Sequence, residues 1–241
     1  MLFSRLSVGS KPEVKLCGDR LMWVDNVKHL GHIINHNLSE ITDVRNKKCD
    51  MFSRVNTVVA TFGKCPDNVL KTILRTQCAH LYGTRIWNLA AKSVQEYVTA
   101  WNRSVRRLFN LPSTTHRRFL PCIVETPGVL DQIYCRFLRM CLSMKSNDNV
   151  KINFLYKMCI ASARSILSRN INCIVNRLGV DRSYVLGNGI QLLKSAYCDD
   201  VSDCDKAILG MIKELRDCDN FVIDGFNQTE LQLFIYNLCT F

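Results

Sequence analysis

The stretch Ser93-Val94-Gln95-Glu96-Tyr97-Val98-Thr99-Ala100-Trp101-Asn102-Arg103-Ser104-Val105-Arg106-Arg107-Leu108 decides the fold class. At about 100° per residue, Val94, Tyr97, Val98, Trp101, Val105 and Leu108 fall within about 50° of one line along a helix. Arg103, Arg106 and Arg107 fall within about 60° of the opposite line. A helix over Lys92 to Asn110 is therefore expected, ending before Pro112, which packs on one side and presents three guanidinium groups on the other. Arg117 and Arg118 follow just beyond the proline. Guanidinium forks match phosphate oxygens, so these five arginines form a candidate surface for tracking the backbone of DNA or RNA.

Helical period extends in both directions from this segment. Ser39 is suited to cap a helix with Ile41, Val44, Phe52, Val55, Val59 and Phe62 inward, stopped by Gly63. Pro66-Asp67 opens the next, with Leu70, Ile73, Leu74, Cys78 and Leu81 inward. Pro112 to Pro127 is a connection of mixed character, because Pro112, Pro121 and Pro127 all break helices. Thr126-Pro127 then starts a helix with Leu130, Ile133, Tyr134, Phe137, Leu138 and Cys141 as its stripe. Helical period returns from Val150 to Leu178, with a break expected near Asn170 and a stop at Gly179. Gly187-Asn188-Gly189 reads as a turn. Two short helices are expected in the acidic end, one near Asp203 and one capped by Asn227.

The first 36 residues read differently. Val14–Cys17 and Arg20–Val24 flank Gly18-Asp19, which suits a tight reversal, and an apolar run from Val27 to Ile34 is interrupted by Gly31. That glycine suggests a bulge or a close backbone approach. The expected fold is mainly α, a helical bundle with a small N-terminal antiparallel β-hairpin. It divides into residues 1–37, a helical body at 38–180 and an acidic segment at 181–241.

The formal net charge is +11 over 241 residues. Residues 1–180 carry 27 basic and 11 acidic side chains, whereas residues 181–241 carry 5 and 10. A basic body with an acidic end points to a polyanionic partner for the body alone. The 13 cysteines are odd in number and lie mostly in apolar periodic runs, so they read as reduced core residues of an intracellular protein. Neither a secretory signal nor a stretch of about 18 apolar residues is present in the sequence, so no membrane association is expected.

Catalytic signals are few. His29, His32 and His36 have helical metal-site spacing, but their neighbours favour strand and turn, and a structural or surface role is expected. Tyr197-Cys198-Asp199-Asp200 has the YxDD form that reverse transcriptases use to hold two Mg²⁺ ions. The residues after it make a poor second strand, and an acidic helix start accounts for Asp199 and Asp200 more simply.

Several motifs in order resemble one family. Met1-Leu2-Phe3-Ser4-Arg5, then Leu16, Gly18, Leu21 and Val24, then Val27-Lys28-His29-Leu30-Gly31-His32-Ile33-Ile34 resemble the stretch after the active site in reverse transcriptases of LINE-type retrotransposons. The family's "YLGhii" run forms its primer-grip hairpin; here His29 stands where an aromatic residue is usual. Cys78-Ala79-His80-Leu81-Tyr82-Gly83-Thr84-Arg85-Ile86-Trp87 is similar to "yc..lYG..lW". Asn102, Arg106-Arg107-Leu108-Phe109-Asn110-Leu111-Pro112 and Thr115-His116 are similar to "N.a.Rrlf.LP..TH". The match covers residues 1–120 well and 121–180 loosely.

This resemblance implies the end of a palm with a primer grip at Leu30 and Gly31, followed by a helical thumb. The family's catalytic acids lie before the primer grip, and YCDD at 197–200 lies after it. The expected function is that of a fragment of an RNA-directed DNA polymerase, gripping a template–primer duplex through its phosphates without polymerase activity of its own. No cofactor is expected, since Mg²⁺ would belong to the missing palm. The palm, or another protein, would be the partner for the exposed hairpin edge. The alternatives are a non-enzymatic helical interaction module and a relic with no selected function.

Overall fold

The computed structural model describes residues 13–79 and 81–199. The Met1–Arg5 run, His80, Asp200 and the helices expected near Asp203 and Asn227 lie outside the described residues. Two antiparallel hairpins come first. Strands β1 (Lys15–Leu16) and β2 (Asp19–Arg20) are joined by Cys17-Gly18, and β3 (Asn26–His29) and β4 (His32–Asn35) by Leu30-Gly31. All four loop residues have positive φ, between 46° and 94°. Two-residue loops of this kind match the right-handed twist of the flanking strands. The first reversal therefore centres one residue earlier than the expected Gly18-Asp19, and Asp19 pairs with Leu16. Gly31 forms the second reversal rather than a bulge.

Helices α1 (Ile41–Phe62) and α2 (Asp67–Ile73) follow, and α2 continues into a wider turn over Leu74–Cys78. Then come α3 (Lys92–Leu108), α4 (Leu120–Val124), α5 (Val129–Lys145), α6 (Val150–Ala161), α7 (Ile166–Leu178) and α8 (Arg182–Asp199). The protein is mainly helical with small N-terminal hairpins, as its periodicity indicates. One continuous core includes Met51 and Val55 of α1, Leu74, Trp87, Tyr97 and Val105, Ile133 and Phe137 of α5, and Ile171 of α7. Past residue 180, α8 adds Val185 and Leu193 to the same core.

The inward face of α1 is rotated from expectation. Ile41 and Phe62 are exposed, and Asp43, Val44, Met51, Val55 and Val58 are buried. Asp43 is inward because its carboxylate has three donors. His32 Nδ1 lies at 3.2 Å, the Ile33 backbone N–H at 3.0 Å and Trp87 Nε1 at 2.9 Å. The carboxylate thereby ties β4, α1 and the segment before α3 together. The His32 ring also stacks on Tyr82, with centroids 5.4 Å apart. Gly83 (φ 78°) leaves room for that ring, because a Cβ there would lie 1.5 Å from His32 Cε1.

A second buried polar clamp replaces the break expected near Asn170. The chain breaks earlier, at residues 162–165, where Ser165 Oγ accepts from the Ser168 N–H at 2.9 Å and caps α7. Asn170 stays helical and fully buried. Its Oδ1 accepts from the Leu89 N–H and its Nδ2 donates to the Trp87 carbonyl, both at 2.8 Å. The expected turn at Gly187-Asn188-Gly189 is also helical, within α8. Gly189 is small for packing, since a Cβ there would lie 2.9 Å from Leu138 Cδ1 of α5. The helix starting at Thr126-Pro127 begins instead at Val129, with Gly128 at its N-cap.

Both clamps lead to measurable expectations. Asp43→Ala leaves Trp87 Nε1 and the Ile33 N–H unpaired in the interior, and urea unfolding should show a loss of about 3–5 kcal/mol. Asn170→Ala orphans two buried backbone groups and should cost about 3 kcal/mol, with an unchanged m-value. Ile41→Ala, on the exposed side of α1, should change stability by no more than about 0.5 kcal/mol.

Candidate nucleic-acid interface

Helix α3 buries Val94, Tyr97, Ala100, Trp101, Ser104, Val105 and Leu108. Compared with the apolar stripe, this face is turned toward Ala100 and Ser104. The Lys48–Glu96 ion pair, at 3.7 Å, places α1 on that side of α3. Val98 is correspondingly only half-buried. Of the three arginines expected to face outward, Arg103 and Arg107 do so, and Arg106 does not. Asn110 (φ 48°) and Pro112 turn the chain back over the end of α3. This brings the Thr115 carbonyl 2.9 Å from Arg106 Nε, which donates to it. Burial, and then the charge of Arg103, lowers the pKa of the Arg106 guanidinium. Arg106 therefore has a structural task, and the presented pair on α3 is Arg103 and Arg107.

Arg117 and Arg118 are exposed on a single helical turn, Arg117–Phe119. His116 caps that turn, its Nδ1 accepting from the Arg118 N–H at 3.3 Å. The Arg118 guanidinium carbon sits 4.8 Å from the centroid of the Phe119 ring, a cation–π distance that aligns the side chain with the surface. His116 has its pKa lowered below the ordinary 6.5 by loss of water around the ring, then by the charges of Arg118, Arg117 and Arg106. Its neutral form is the one that can accept the capping hydrogen bond.

Behind this turn lies an open cavity of about 530 Å³. Its walls include Gln95, Val98 and Asn102 of α3, the 116–118 turn, the first residues of α5, and Arg177, Leu178 and Leu193. Arg177 lies 3.6 Å from Asp131 across the α5–α7 boundary. Arg117 and Arg118, expected from the sequence as part of one strip with the α3 arginines, thus line the mouth of a concave feature.

Sequence reasoning missed a second cationic group. Arg136 has its pKa lowered by burial, then by the charges of Arg139 and Arg85. Arg136 and Arg139 are one turn apart on α5, a spacing visible in the sequence. Arg85 joins them because the turn Thr84–Ile86 packs against α5. Only the tertiary fold brings that third charge in.

The primer-grip pair sits at the tip of the β3–β4 hairpin. Leu30 is 72% exposed, and a Cβ on Gly31 would meet nothing within 4 Å, so Gly31 is set there by its positive φ of 79°. His29 and His32 are a strand pair in that hairpin and His36 follows it. His32 is committed to Asp43, as expected for a structural role. Among the described residues, no group of three His, Cys, Asp or Glu side chains could hold a metal ion. Tyr197, Cys198 and Asp199 belong to the end of α8. Asp199 therefore lies in a helix that begins at Arg182 and does not start one, contrary to the reading of an acidic helix start. Cys78, Cys135 and Cys141 are buried thiols outside any disulfide. Burial raises the Cys78, Cys135 and Cys141 thiols, the last to about 12, which makes them poor nucleophiles. Among the described residues, no helix is long and apolar enough to cross a membrane.

Comparison with protein-family models, curated proteins and solved structures found no match to this chain.

The electrostatics of the 116–118 turn can be read by NMR. The His116 ring should titrate below 6.5, so it is neutral at pH 7 and gains its proton only in more acidic solution. Replacing Arg117 and Arg118 together with glutamine should raise the midpoint toward the ordinary value. Because the folded state resists protonation, stability contributed at this site is full above pH 6.5. It is lost as pH falls from that value through the lower folded-state midpoint.

Proposed function

We propose that this chain binds a template–primer duplex through its phosphates, in the way the thumb of a LINE-type reverse transcriptase does, and performs no polymerisation by itself. One observation carries the reading. Arg103 and Arg107 stand outward on a helix whose opposite face is locked into the core, next to a turn that exposes Arg117 and Arg118. Cations on a rigid support suit sequence-independent phosphate contact. A second observation supports the family resemblance. His32 of the Leu-Gly-His run and Tyr82, Gly83 and Trp87 of the Tyr-Gly…Trp run meet in one cluster around Asp43. On this reading Mg²⁺ belongs to catalytic acids that precede the primer grip, and Leu30-Gly31 approaches the primer end.

Fluorescence anisotropy with a labelled RNA–DNA hybrid tests the grip. Affinity should fall with salt along a log–log slope of roughly −0.7 to −0.9 per phosphate contact. The Arg103→Glu/Arg107→Glu double variant should bind at least about tenfold more weakly and flatten that slope by about 2. A flat salt response in the unaltered chain refutes phosphate gripping. Primer extension by this chain alone with Mg²⁺ would refute the second half.

The exposed apolar residues of the hairpins favour a second reading, a protein-interaction module. Leu16 on β1, Met22 just after β2 and Leu30 in the β3–β4 loop are 63%, 84% and 72% exposed, and among the described residues neither two-stranded sheet pairs with a further strand. A stable oligomer in light scattering that Met22→Asp dissolves, with no nucleic-acid affinity, is the result that would select it.

A further inference from the structure

The cavity behind the 116–118 turn is graded by depth. Val129 and Leu193 in its wall are each 2% exposed, Val98 and Leu178 are half-buried, and Arg117 and Arg118 stand exposed at its mouth. Asn102 and Gln95 place two side-chain amides along the α3 wall. Each amide offers both donors and an acceptor. The volume of about 530 Å³ is larger than a phosphate requires and lies in the range of pockets that take a small organic ligand. Apolar depth, a few amides and a guanidinium rim suit, in order, a base face, a base edge and a phosphate.

We propose that this cavity receives one unpaired nucleotide of a single strand, its base against the apolar wall and its phosphate at Arg117 and Arg118. The proposal rests on the nucleic-acid reading above and adds to it a preference for strand over duplex. A base held within a duplex cannot enter a concave site, whereas a single strand can turn one base out at little cost. His116 is the reporter. It is faced by Arg117 and Arg118 from its own turn and Arg106 from α3, with Asp131 and Arg177 across the cavity. A phosphate seated at the rim offsets the three nearer cations, so the His116 midpoint should rise when the site fills.

The test uses the full chain with three probes: a labelled single-stranded dodecamer, the blunt duplex of the same sequence, and inorganic phosphate. Val98→Phe should occupy the cavity and weaken single-strand binding by about tenfold, with duplex binding unchanged. Asn102→Ala, which removes an amide without adding bulk, should give a smaller loss in the same direction. The strand should raise the His116 midpoint at concentrations where inorganic phosphate does not. If Val98→Phe and Asn102→Ala leave single-strand affinity intact while duplex binding persists, the pocket is refuted and the phosphate grip stands. Equal shifts of His116 by phosphate and by strand would reduce the site to its rim and refute the pocket for a base. If the unaltered chain binds neither the strand nor the duplex, the nucleic-acid reading itself fails.

Discussion

The Asp43 carboxylate is the constraint on which the described fold depends. The carboxylate of a residue only 3% exposed must be matched by donors, and here three donors come from two separate parts of the chain, β4 and the segment before α3. The Ile33 N–H fixes the position of the β3–β4 hairpin, His32 fixes its orientation, and Trp87 Nε1 fixes the segment leading into α3. Trp87 itself is fully buried and meets Tyr97 of α3 edge-on, with centroids 5.4 Å apart. The same segment is held from its other side by Asn170 of α7. A small hairpin with little apolar burial of its own is thus attached by polar geometry, where strand pairing alone would leave it marginal.

Distribution of cations follows from the same need to satisfy polar groups. The helical body carries many arginines, and several serve the fold. Arg106 donates to the Thr115 carbonyl, Arg75 to the Val124 carbonyl at 2.8 Å, and Arg182 to both the Ile160 carbonyl and Ser168 Oγ at 3.0 Å. Lys71 reaches Glu125, a residue in left-handed conformation at the end of α4. Each of these cations stabilises a loop or a helix end. Arg103, Arg107 and Arg117 are exposed and contribute to the charge of the surface. Net charge therefore overstates the cations that face solvent.

Much of the architecture was legible before any coordinates. The stop of α1 at Gly63, the inward Leu70, Leu74, Cys78 and Leu81, the bounds of α3 and the stripe of α5 all follow from local period and turn chemistry. The failures share a cause. Asn170, Gly187 and Gly189 read as breaks because polar and glycine residues usually end helices, yet Asn170 finds two backbone partners in another segment and Gly189 lets α5 come close. Both are tertiary compensations for a locally unfavourable residue, and local pattern has no access to them. The same holds for the site. Arginine spacing on α3 was visible, but the chain reversal that withdraws Arg106 was not, and neither was the packing that adds Arg85 to Arg136 and Arg139.

By itself the sequence determined the helical class, an N-terminal antiparallel hairpin, the concentration of basic charge in the body and the outward placement of Arg103 and Arg107. These depend on residue period and on charge, which are properties of neighbours along the chain. The tertiary structure decided the burial of Asp43, the conversion of Arg106 from a surface cation into a loop anchor, and the cavity beneath Arg117 and Arg118. Those depend on groups far apart in sequence meeting at hydrogen-bond distance, and no local pattern encodes such a meeting.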